Sequence, residues 1–430
     1  MKRIRFMIVI MLVASVITAC AAPAATTPAA TAKSKVVFWH IFGSGGSLDA
    51  LENIVSDFNA SSDKYEVELV FTDFWTYDQQ VLAAVAAGQP PDVIMGDQTR
   101  AGQRAEAEQI ISLSDYVERD QFDMTVFWEY PLKDVVYNGK IWGIPFGPDT
   151  RILYYDKDAF IEAGLDPEDP PATWDELWEV AHKLDKKDDA GNWTRIGFNP
   201  MWGNVWFLPF IWSNGAVLVT DDGKFQFNTP EVIETAAWYK QWVDYYGKEN
   251  LDTFASGFGT GAQDPFISGQ VAMIISVQAY VDTLLAYAPD KNWGAALIPY
   301  NKTPASWGAG FDLEIPKGAP NPDGAWEFIK FMVSKDNALK FALGSGWMPA
   351  NVEAAHDPAL MQKPGWDVAL QSMAVTQSRK FVLEAPTWYG FIVTAFQEVW
   401  DGVKTPEQAL NDAQAAVEAE VENFKATHGQ

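Results

Sequence analysis

The chain has 430 residues, a formal charge of −26, 19 Trp, 4 His and a single Cys. A surface this acidic repels phosphate backbones and anionic lipid, which argues against a nucleic-acid partner and mildly favours a monomer. One cysteine excludes an internal disulfide, and no second His or Cys stands near enough in sequence to suggest a metal cluster, so neither metal nor cofactor is expected.

The first nineteen residues carry Lys2, Arg3 and Arg5, an apolar run over 6–16, then Ile17, Thr18 and Ala19 ahead of Cys20. The run is shorter than the roughly 20 residues a membrane-spanning helix needs, and reads as a secretory signal. Its removal takes away three cations and no anions, which makes the charge −29. Residues 21–35 are almost all Ala, Thr and Pro, a composition that buries little apolar surface and reads as a tether. About 395 residues remain, too many for one ordinary core and suited to two.

The spacing predicts a strand over 36–41, broken by Gly43, Gly45 and Gly46, and a helix opening at Ser47 with Leu48, Leu51, Ile54, Val55 and Phe58 on one face. A strand at 66–71, a helix over 79–87 ended by Gly88 and a strand at 93–95 follow. This alternation predicts a parallel sheet. Strands are expected at 141–146 and 151–155, with an interlobe crossing between them. Thr173-Trp174-Asp175-Glu176 and Thr405-Pro406-Glu407-Gln408 read as capping boxes, and Thr229-Pro230 opens a helix that Gly247 ends.

Eight segments in order carry a resemblance. They are Val37-Phe38-Trp39-His40 with Phe58-Asn59, 83–92 (AAVAAGQPPD), 139–146 (GKIWGIPF), 153–165 (LYYDKDAFIEAGL), 170–177 (PPATWDEL), 264–273 (DPFISGQVAM), 325–331 (AWEFIKF) and Met348-Pro349-Ala350-Asn351. Together they resemble the family 1 extracellular solute-binding proteins, the group that includes the maltose-binding protein. The resemblance runs from Lys35 to the C-terminus. It implies a non-enzymatic receptor that delivers its ligand to the permease subunits of an ABC importer. Ile17-Thr18-Ala19-Cys20 likewise resembles the bacterial lipobox, which implies a lipid anchor on Cys20 at an extracytoplasmic membrane face.

The implied fold is α/β and two-lobed, of the type II periplasmic-binding-protein kind, with a ligand cleft between lobes joined by hinge crossovers. After the signal (1–19) and the anchored tether (20–35), the expected order is lobe 1 (36–147), lobe 2 (148–308), lobe 1 (309–347) and lobe 2 (348–430). Crossings are expected near 145–151, 306–314 and 344–351.

A sugar offers flat C–H patches and a rim of hydroxyls, so its receptor needs aromatic faces and planar polar groups on strand-end loops. Trp75 and Asp97 stand on loops after the second and third strands. The resemblance places Asp149, Trp202, Trp206 and above all Trp388 at cleft positions. Trp307, Gly308 and Gly310 lie at the second crossing, where glycines admit either a ligand or a hinge strand. His40 and the hydroxyls of Ser44 and Ser47 border the first loop. Arg379 suggests a phosphorylated ligand, but Lys380-Phe381-Val382 depart from the arginine-glycine motif of the glycerol-phosphate receptors. A carbohydrate ligand is the expectation. A polyol or glycerol-phosphate receptor of the same fold, and a secreted glycoside hydrolase, remain open beside it.

Overall fold

A computed structural model describes residues 32–428, and the signal segment and Cys20 lie outside them. Five strands form the first sheet, in the order Tyr65–Phe71, Ser34–His40, Val93–Asp97, Gly310–Glu314 and Ile144–Pro148. Val36 and Phe38 alternate inward from the first strand and meet Leu51, Ile54, Val55 and Phe58 of the helix Gly46–Ser61, the apolar stripe that the spacing predicts. The helix Pro322–Met332 adds Trp326, Phe328 and Ile329 to the same core.

The first three strands pair in parallel, as the alternation predicts, but Gly310–Glu314 runs antiparallel to both its neighbours. The sheet is therefore mixed. That strand does not arrive through a helix of its own lobe. It enters from the far lobe at the cleft end and so runs the other way. The expected strand over 141–146 is also split, into Lys140–Ile141 and Ile144–Pro148, with Gly143 passing against the Asp312 carboxyl between them.

The second sheet has Arg151–Asp156 at its centre, flanked antiparallel by Met273–Val277 and Trp293–Ala296. One face packs under Trp174–Leu184, Pro230–Tyr246, Trp388–Trp400 and Pro406–His428, and that core takes Trp174, Trp238, Trp242, Trp388 and Trp400. The other face buries Ile152, Tyr154, Phe266, Ile274 and Leu284. At Thr173 the side chain receives the Glu176 N–H while Glu176 reaches back, and Thr405 with Gln408 does the same, so both capping boxes form. Gly247, at φ 81°, ends the helix that Pro230 opens. Ala342, Met348, Ala355, Leu360, Trp366, Ala369 and Met373 close around Tyr130 as a small junction cluster between the two main cores.

An ion cluster is sealed inside the first sheet. Arg104 gives two 2.7 Å bonds to Glu314 and one of 2.7 Å to the Asp97 carbonyl. Asp312, two residues from Glu314 on the same strand face, is fully buried with neither carboxyl oxygen hydrogen-bonded, and Arg104 Nη2 is 3.7 Å away. A Cβ at Gly96 or Gly143 would come within 2.9 Å and 2.2 Å of those oxygens, so the two glycines make the room for them. Burial, then the Glu314 charge, pushes the Asp312 pKa well above the carboxylate range.

Arg104→Met strands a buried carboxylate and is expected to cost about 3–5 kcal/mol in urea unfolding. Asp312→Asn, which puts a neutral amide of the same shape in place of a carboxyl that burial disfavours as a charge, is expected to cost about 1 kcal/mol or less in the same titration.

Candidate ligand cleft

Three chain segments come together beside the cleft: Asp149–Arg151, Ser306–Gly310 and Ser372–Gln377. Thr150 Oγ1 lies 3.0, 2.7 and 2.6 Å from the hydroxyls of Ser306, Ser372 and Thr376, all buried. Ser306–Trp307 pairs in parallel with Thr376–Gln377. Beside this knot, Arg151 donates to Asn204 through Nε and Nη2 at 3.0 Å each, pairs with Asp149, and lays its guanidinium 4.0 Å from the Trp307 ring centre.

Asp149 is committed to this hinge. Its carboxylate takes Arg151 and, at 2.7 Å, the Ala309 N–H, and burial raises its pKa against the pull of Arg151. It offers little to a sugar hydroxyl. Gly308 and Gly310 serve the crossings as well. A Cβ at 308 would strike Thr376 and the Asp149 carbonyl, and Gly310, at φ 107°, approaches the Gly147 carbonyl. Close packing of protein on protein, rather than approach of a ligand, demands both.

Trp388 also departs from expectation. It is 4% exposed, boxed by Phe225, Phe227 and Tyr389, with its ring N–H bound to the Lys380 carbonyl at 3.0 Å. It borders two of the interlobe cavities but offers them almost no surface. Its neighbour Tyr389 instead lies beneath the Arg379 guanidinium, 4.8 Å away. Trp202 packs on Phe254 and Phe258, apart from the crossings. His40 is buried between Phe38 and Phe71, and burial pushes its pKa down to about 4, so it is neutral at physiological pH. Ser44 is exposed on its loop and Ser47 is half-buried.

Other candidates do stand open. Trp75 is 86% exposed, edge-on to Phe74, which touches Phe311, and Phe311 in turn meets Trp347. Trp206 is 48% exposed in a left-handed backbone conformation (φ 53°) that a large side chain rarely adopts, held by the Tyr239 hydroxyl on its carbonyl at 3.1 Å. The Nε1–H of Trp307 has no partner although it is buried. Asp97 accepts the N–H and hydroxyl of Thr99 at 3.0 and 2.7 Å and lies 3.7 Å from Arg379 of the opposite wall.

Three cavities of about 410, 490 and 280 Å³ surround the 377–390 segment. The smallest lies between Thr99, Arg100 and Gln103 of one lobe and Arg379, Lys380 and Tyr389 of the other. A larger void of about 970 Å³ sits on the back of the first lobe, but it is wide and two of its three cations, Arg119 and Lys330, are already paired with Asp120, Asp323 and Glu327. Size alone misleads here, and the interlobe cavities are the candidate site. Sequence reading missed Tyr389, Arg151, Asn204, Phe311 and Trp347. For the first, a signal existed: Trp388, Ile392, Phe396 and Val399 fall on one helical stripe, which turns Tyr389 off it.

The family model for bacterial extracellular solute-binding proteins matches residues 44–339. The sn-glycerol-3-phosphate-binding periplasmic protein UgpB of Escherichia coli K12 is 26% identical, over 89% of this chain and 92% of its own. CpMnBP1, solved with mannobiose bound, superposes with a TM-score of 0.79 at 29% identity, covering 89% of this chain and 98% of its own. An ABC transporter solute-binding protein of Thermotoga lettingae, bound with α-D-tagatose, superposes at 0.77 with 25% identity over 91% and 100% of the two chains.

Two substitutions separate the core aromatic from the open one. Trp388→Ala is expected to lower unfolding stability by about 3–5 kcal/mol, whereas Trp75→Ala should change it by less than about 0.5 kcal/mol, both read from denaturant melts.

Proposed function

Because the chain belongs to the family of bacterial extracellular solute-binding proteins, we propose that it captures a sugar or oligosaccharide between its lobes and delivers it to the permease of an ABC importer. The observation that carries this is a pair of open aromatic side chains, Trp75 on one lobe and Trp206 on the other, together with a polar cavity between the lobes whose wall includes Tyr389 under Arg379. Likeness to proteins solved with mannobiose and tagatose supports the same ligand class. The lobe boundaries of this reading are 36–147 with 309–347, and 148–308 with 348–430. Trp75, Asp97, Trp206, Trp307 and Tyr389 line the ligand path, and Asp149, Arg151, Gly308 and Gly310 shape the pivot.

One observation favours a second ligand class. The 280 Å³ cavity is lined by Arg100, Arg379 and Lys380, whose carboxylate partners Asp78, Asp97 and Asp221 stand outside its wall, so a phosphate group there would share or displace them, and UgpB is a relative over most of the chain. Among the described residues no helix is long and apolar enough to cross a membrane. Attachment is assigned to a lipid on Cys20, as a monomer facing the periplasm or the outer surface.

Thermal melts against mannobiose, mannotriose, tagatose, maltose and sn-glycerol 3-phosphate test the ligand. A bound sugar at about 100 times its Kd stabilises by about 2.7 kcal/mol and raises Tm by several degrees. Tyr389→Ala and Trp206→Ala should each weaken it roughly 3- to 10-fold. A shift with glycerol phosphate alone, lost in Arg379→Gln, would establish the second class instead, and release of sugar products would mean a hydrolase. Separately, Cys20→Ser should move the protein from the membrane to the soluble fraction on cell fractionation.

A further inference from the structure

Asp134 ends the helix Glu129–Asp134 of the first lobe and borders the cavity of about 410 Å³ opposite residues 376–381. Its Oδ2 accepts from Gln98 Nε2 at 3.1 Å, and its Oδ1 accepts from the Ser378 hydroxyl. Gln98 rides on the turn after Val93–Asp97, inside the first lobe. Ser378 leaves the strand Thr376–Gln377, which is paired to the second crossing at Ser306–Trp307. A single carboxyl therefore spans the junction beside the hinge. Asp97 and Arg379 act on it from the two sides, and Lys133, Tyr130, Tyr137 and Lys380 line the same cavity.

We propose that Asp134 is a proton-controlled latch between the lobes: protonated, it favours the arrangement in which the 376–381 segment covers it, and ionised, it favours release of that segment. The closing motion belongs to the receptor reading above, but the latch can be measured with no ligand present. In the covered arrangement burial is the main cause that pushes the Asp134 pKa up to about 7, with Asp97 adding to it and the bonds from Ser378 and Gln98 opposing. Uncovered and hydrated, the carboxyl returns towards about 3.9. The covered form thus holds its proton more tightly. Covering is fully favoured below about pH 4, weakens as pH rises towards about 7, and is flat above that.

Hydrogen–deuterium exchange of the full chain at pH 5 to 8, corrected for intrinsic amide rates, tests this. Protection of the Ser306 and Gly308 amides, which donate to the Val375 and Gln377 carbonyls at 3.0 and 2.8 Å, should fall by roughly 10- to 70-fold between pH 5 and 7.5, within the limit of tenfold per pH unit for one proton. Asp134→Asn keeps an acceptor for Ser378 but cannot ionise, and its protection should not vary with pH. Ser378→Ala should lose protection at pH 5. A flat profile in the wild type, an unchanged slope in Asp134→Asn, or full protection in Ser378→Ala would each overturn the latch. If none of the sugars or glycerol phosphate binds, the ligand reading falls while this profile still decides the latch.

Discussion

At the first crossing Asp149, Thr150 and Arg151 each reach a different part of the molecule, and the rest of the cleft is arranged around them. Asp149 holds the 306–310 segment through the Ala309 N–H, Thr150 holds the 372–377 segment through Ser372 and Thr376, and Arg151 holds the 199–206 loop through Asn204. A buried ion pair gains little net stability over an apolar packing of the same volume, because two charges lose their water. What the Asp149–Arg151 pair does supply is position. Its oxygens and nitrogens accept few alternatives, so three distant segments share one pivot. Arg151 also lies flat on Trp307, which ties the orientation of that ring to the same pair.

This division of work explains why the cleft keeps its charged groups engaged and its aromatic faces open. Asp97, Asp149 and Arg151 all have protein partners, while Trp75 and Trp206 project into solvent. An open aromatic face costs less to desolvate than a free charge, and it can receive a ligand without first giving up a partner. The acidity of the chain belongs to its outer surface. At the cleft wall, Arg100, Arg379 and Lys380 are each paired with a carboxylate, Asp78, Asp97 and Asp221 respectively.

Two acids stand outside that pattern, and both are placed where a charge is hard to keep. Asp312 is enclosed by the sheet, with Glu314 beside it and Arg104 already occupied by that neighbour, and its burial is contributed within one lobe. Asp134 is only partly covered, and its cover comes from the other lobe. The difference between them is whether the burying element can move. A carboxyl buried within one rigid sheet is a structural feature, and one buried across a hinge couples proton binding to the hinge.

Local patterns in the sequence determined the elements of this protein. Spacings of two and of 3.6 residues record which face of a strand or helix is buried, and they located Ser34–His40, Gly46–Ser61, Val93–Asp97 and both capping boxes closely. The ordered motifs carried the two-lobed family. Strand direction left no such record, since Gly310–Glu314 looks the same locally whichever way it enters, and its antiparallel place was decided by the crossing before it. The site divided along the same line. Trp388 lay on a legible helical stripe, and Asp149 and Arg151, two apart along an extended segment, could be paired from spacing. The exposure of Trp75, the commitment of Asp149 to Ala309, and the cover that Ser378 places over Asp134 were decided only by tertiary structure. Each depends on a contact between residues far apart in the chain, and a periodic pattern of neighbours carries no information about which distant segment will arrive.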